Sequence, residues 1–179
     1  MTKKYEFVPG DEITIAPGRT MKRIRSLVAI AAFGITTGAL GGYIESESNL
    51  AQVSGNAQVS GNAQVSGNAW VYGDAQVYGD ARVSGNAQVY GDAWVSGNAQ
   101  VSKTSHYMTL GPLGSRNAFL TVCRDSKLGI SYTTGCFFGS REAFVAAVES
   151  THGDTSHGNA YAAAVMLADH VVPAFTPET

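Results

Sequence analysis

The residue types able to do chemistry near neutral pH are gathered late in this 179-residue chain: its four histidines are His106, His152, His157 and His170, and its two cysteines Cys123 and Cys136. The segment GPLGSRN (111–117) is the leading candidate. Gly114 lets backbone approach a ligand closely, Ser115 and Asn117 offer hydrogen bonds, and Arg116 offers a planar fork for phosphate. The same residues also read as an ordinary hairpin loop with one surface arginine. Arg124 and His152 complete the candidate ligand-binding set. Lys103, Arg116, Arg124, Lys127 and Arg141 face only one acid, Asp125, in their stretch, whereas 142–179 holds five acids and no Lys or Arg. A basic sheet set against acidic helices suits a small anion.

A nucleophile–base–orienter set of Cys136, His152 and Asp154 is the enzymatic alternative. Cys136, between Gly135 and Phe137, reads instead as packing in an apolar strand, and His152 as a helix-end residue satisfying carbonyls. No catalytic residue is assigned. His157 and His170 lack partners at metal spacing, as do the cysteines, so neither metal nor cofactor is expected. With no clear secretion signal, both thiols read as reduced and buried in a cytoplasmic protein. A net charge of −2 argues against nucleic-acid polymers as partners.

What positions these groups is residues 51–104, which run AQVSGN-AQVSGN-AQVSGN-AWVYGD-AQVYGD-ARVSGN-AQVYGD-AWVSGN-AQVSKT. Valine recurs every sixth residue from Val53 to Val101, with alanine four places later. A fixed short period means a solenoid whose units bury their apolar face only by stacking. Val and Ala point inward, Gly takes the corner, and the residues flanking each Val point outward. Three units make an 18-residue coil, so three regular coils are expected. Trp70, Tyr72 and Tyr90 then share one outer face, Tyr78 and Trp94 a second, and the third has no aromatic residue. Aromatic residues are enriched at interface cores, so these five are the expected interface of a homotrimer. Asn56, Asp74 and Asp92 align at one corner, where turn chemistry outweighs metal binding.

The aliphatic-plus-small pattern resembles the hexapeptide-repeat proteins, and the resemblance implies a left-handed parallel β-helix. Many such proteins are acyltransferases needing a histidine base on the helix. None occurs before His106, which disfavours that activity. GRT-x-x-R-I-R-S-L…LGGYIESESNLAQ, with GPLGSRN, TTGCFFG and ESTHGD, resembles uncharacterised phage and bacterial members of the group. This implies a folded cap over residues 1–50 ahead of the helix.

The uncharged run 27–44, behind Lys22, Arg23 and Arg25, has the outline of a signal anchor, but its four glycines read as strand, turn, strand, and no membrane segment is expected. Residues 105–179 read as a small α+β module. Its strands are expected at 107–110, 118–124 and 129–138, and its first helix at 141–150 behind Ser140. A second helix, opened by Asp154 or Ser156, would face Tyr161, Val165, Ala168 and Val172 inward, with a frayed tail after Pro173. The expected function is a non-enzymatic phage or prophage binding protein, its terminal module engaging a small anionic, nucleotide-like ligand or a host protein and possessing the capacity to sequester an immune signal. The alternative is a structural role, the module capping a trimer.

Overall fold

Alternation of polar and apolar residues near the N-terminus produces a long antiparallel hairpin, β1 (Tyr5–Ala16) with β2 (Arg19–Ser26), and β2 pairs in turn with β3 (Leu40–Ile44). The computed structural model describes residues 3–31, 34–51 and 55–176. Beyond β3 the repeat forms two-residue rungs: β4 (Gln58–Val59), β5 (Gln64–Val65), β6 (Trp70–Val71), β7 (Gln76–Val77), β8 (Arg82–Val83), β9 (Gln88–Val89), β10 (Trp94–Val95) and β11 (Gln100–Val101). These stack in parallel as three faces, β3-β5-β8-β11, β6-β9 and β4-β7-β10. From β4 on, partners lie 18 residues apart, as Val59 with Val77 and Val65 with Val83. The protein is therefore mainly β, a solenoid of about three coils.

Val65, Val71, Val77, Val83, Val89 and Val95 are all fully buried, as are the alanines between them. Each such valine contributes about 1.5–3 kcal/mol relative to exposure. Corner glycines have positive φ, and a Cβ on Gly85 (φ 61°) would lie 2.7 Å from the Ser102 carbonyl oxygen. Successive corners are linked by side chains: Asn56 donates to Asp74 at 2.9 Å, Asn62 to Asp80 and Asn68 to Asn86 at 3.2 Å.

The first coil begins earlier than the repeat does. Ile44 pairs with Val65 and Leu50 with Val71, each 21 residues on, so aliphatic residues outside the repeat fill the valine positions. Val53, with Gln52 and Ser54, lies outside the described residues. The LGGYIESESNL motif builds this entry. A Cβ at Gly42 would sit 2.5 Å from the Ala63 carbonyl oxygen. Glu45 accepts from Gly67 N at 2.6 Å and from both Arg19 Nε and Nη2, which holds its carboxyl down at about 2. Asn49, fully buried, donates to the Gly67 and Ala69 carbonyls and accepts from Ser46 N. In 27–44, an Ile30–Ile35 bridge precedes β3 among the described residues, residues 32–33 lie outside them, and no described helix is long and apolar enough to cross a membrane.

The terminal module is a four-stranded antiparallel sheet, β12 (Tyr107–Leu113), β13 (Ala118–Asp125), β14 (Gly129–Thr134) and β15 (Phe137–Ser140), followed by α1 (Arg141–His152) and α2 (Ser156–Val171). The single strand expected over 129–138 is two, because Gly135, at φ 53°, turns the chain. Cys136 consequently sits exposed in that turn rather than buried in a strand. Ser140 caps α1 by accepting from Ala143 N, but Thr155, not Asp154 or Ser156, caps α2, accepting from Gly158 N. Of the tail expected to fray after Pro173, the described residues 174–176 are docked: Phe175 N donates to the Gly129 carbonyl at 3.0 Å, and the Arg124 guanidinium lies over the Phe175 ring.

Strand alternation gives this sheet two buried faces. Leu120, Val122 and Tyr132 meet Phe144, Tyr161, Val165 and Ala168 of the helices. Tyr107 and Cys123 join the solenoid core instead, and burial pushes both their pKa values up. The last coil would otherwise expose unpaired N–H groups. Side-chain oxygens of Thr104, Tyr107 and Thr121 accept from Gln88, Tyr90 and Trp94 N at 3.2, 3.3 and 3.0 Å. The module is thus the lid of the solenoid.

Candidate functional site

The β12–β13 loop, the β14–β15 turn and the end of α1 meet around a cleft of about 270 Å³. The loop brings Ser115 and Arg116, the turn brings Cys136, and the helix brings His152. Phe137, Phe144 and Val148 add apolar surface, and no carboxylate is among the described lining residues. Arg116 Nη1 lies 3.7 Å from Cys136 Sγ, which tethers the exposed arginine across the opening. The His152 ring stacks on Tyr161, centroids 5.7 Å apart, and meets His157 edge-on at 5.9 Å.

Three of the six candidate ligand residues, Ser115, Arg116 and His152, are thereby brought together. Gly114 and Asn117 serve the turn: Asn117 N donates to the Gly114 carbonyl at 3.3 Å, and Asn117 adopts φ 49°. The close approach at Gly114 is by the chain's own Tyr161, whose hydroxyl would lie 2.4 Å from a Cβ there. Arg124 is elsewhere, stacked on Phe175, with Nη1 3.4 Å from His106 Nδ1 and Nη2 donating to the Thr176 carbonyl. Asp154 does not line the cleft, and no hydrogen bond links Cys136, His152 and Asp154 among the described residues. Cys136 was legible as a cysteine between glycine and phenylalanine, but its exposure depends on a turn the apolar run conceals.

The five aromatic residues of the solenoid divide. Trp70 stacks on Tyr72 (4.2 Å), Tyr72 on Tyr90 (5.3 Å), and Tyr90 meets Tyr107 edge-on, while Trp70 and Tyr90 remain exposed. Tyr78 and Trp94 lie on the β4-β7-β10 face, each lining a cleft beneath the chain's own overhanging segments. Trp94 and Gln76 face Ala118 and Phe119 of the module across about 240 Å³.

Stacked parallel rungs closed by a lid define the class, a capped β-solenoid. The family model described as YdcK Beta solenoid repeat matches residues 57–73, 75–89 and 87–103, which supports a repeat β-solenoid relationship for that part of the chain. No curated protein and no solved structure matches the chain.

Proposed function

We propose that this is a non-enzymatic binding protein whose terminal module takes a small anionic, nucleotide-like ligand in the Arg116 cleft. The observation that carries this reading is the convergence of a guanidinium, an imidazole and the Ser115 hydroxyl on one apolar-walled cleft free of carboxylates among its described lining residues. Arg116 supplies a fork for phosphate oxygens, Ser115 a hydrogen bond, and the apolar wall a surface for a base. The resemblance of the leader and terminal segments supports a phage or prophage setting in a bacterial cytoplasm, where withholding an immune nucleotide signal is one concrete form of the function. A homotrimer associated through the Trp70–Tyr72–Tyr90 face belongs to the same proposal.

Thermal unfolding against a panel of mono-, di- and cyclic nucleotides is the test, since a ligand of the folded state raises the melting temperature. At least one nucleotide should raise it, and Arg116→Ala should abolish that rise without changing the melting temperature of the free protein. A flat response across the panel supports the second reading, favoured by the Thr104, Tyr107 and Thr121 contacts to the last rungs: a structural protein whose module only closes the solenoid.

A further inference from the structure

A second cavity lies at the opposite end of the molecule, on the β4-β7-β10 face. Ile30 and Ile35, from the segment joining β2 to β3, and Leu40, the first residue of β3, overhang that face and border a cavity of about 340 Å³ with Ile24, Leu50 and Val59. The volume falls within the range of small-molecule pockets. Two side-chain amides line the cavity. Gln58 is only 8% exposed, and its Nε2 is buried with no hydrogen-bond partner among the described residues. Gln76, its neighbour on the next rung, has Nε2 in the same condition.

Buried donors without acceptors carry their full desolvation penalty, and native structures leave few without a reason. Here the donor recurs on adjacent rungs about 4.8 Å apart, at the edge of a chamber walled chiefly by aliphatic residues that also carries the Ser26 and Ser60 hydroxyls. A carboxylate on an apolar body offers one oxygen to each amide once the two side chains turn into the cavity. The local charge selects further: Lys4 also lines the cavity, with its ammonium donating to the Gly55 carbonyl, and no carboxylate is among the described lining residues. We infer that this cavity is a binding site for an aliphatic carboxylic acid, its carboxylate held by the Gln58 and Gln76 amides and its chain packed under Ile30, Ile35 and Leu40.

Calorimetric titration of the full chain with octanoate, octanol and octylamine tests this. Octanoate should bind saturably, octanol roughly tenfold more weakly, and octylamine not at all. Gln58→Glu, which sets a carboxylate against the ligand's own, should weaken octanoate at least about tenfold, whereas Arg116→Ala should leave it unchanged. The inference is overturned if octanoate gives no saturable heat, as a cavity holding only water would, or if octanol binds equally well. It is overturned too if Arg116→Ala abolishes binding while Gln58→Glu preserves it. Should Gln58→Glu fail to fold, the ranking of the three probes on the unaltered protein decides. Because Arg116 and Gln58 lie in separate clefts, failure here leaves the nucleotide proposal standing, and the reverse holds.

Discussion

His106 shows how much one side chain's surroundings matter at the junction of solenoid and module. It is buried, and its Nδ1 is 3.3 Å from both Ser102 N and Ser102 Oγ, with Arg124 and Lys103 nearby. Burial, reinforced by Arg124, holds its pKa below the ordinary 6.5. The unfolded chain therefore binds a proton that the native protein refuses, and stability falls as pH drops through about 6.5. The melting temperature should fall between about pH 7.5 and pH 5.5, and His106→Gln, which keeps an acceptor but cannot titrate, should flatten that dependence. Equal slopes in both proteins would show that other groups set it. Of the site's chemistry, the sequence made Ser115, Arg116 and His152 legible because their types and local charge stand out. It concealed the surroundings of Gly114 and Arg124, which are decided by Tyr161 and Phe175 from far along the chain.

Among the elements, the rungs from β4 to β11 were readable because one six-residue rule repeats and nothing competes with it. Ile44 and Leu50 were not, since they occupy valine positions without belonging to the period. Both helices announce themselves through apolar spacing, α1 also through its Ser140 cap, and Arg141 pairs with Asp169 through two bonds of 2.7 and 2.6 Å to hold them together. Least visible was the docking of β13 on the last coil. Thr121 is buried, and its hydroxyl reaches Trp94 N, a partner 27 residues away. Thr121→Val keeps the shape but removes that acceptor, and should cost about 1–3 kcal/mol in denaturant unfolding. Thr121→Ser should recover most of the loss, an outcome a pure packing role would not produce.

For the molecule as a whole, the exposed rings of the β6-β9 face are the contact proposed for assembly. The β6-β9 face carries two strands, and its stacked rings leave Trp70 41% and Tyr90 47% exposed. Size exclusion with light scattering should report three times the chain mass, and Trp70→Lys should reduce it to a single chain without lowering secondary-structure content. A monomeric parent protein would sink the trimer. The alignment of Trp70, Tyr72 and Tyr90 on one outer face was foreseeable from the sequence, while the covering of Tyr78 and Trp94 depended on segments with no repeat to reveal them.

The number of rungs also acts as an angular setting. Each hexapeptide advances the chain by one side of the prism, so the integer between β3 and β12 fixes which way the leader and the module point. In this protein that integer brings Ile35 and Leu40 from one pole, and Ala118 and Phe119 from the other, over the same strip of β4-β7-β10. One added repeat would rotate the far pole by about a third of a turn and uncouple the two overhangs, whereas three added together would restore their azimuth and only lengthen the strip between them.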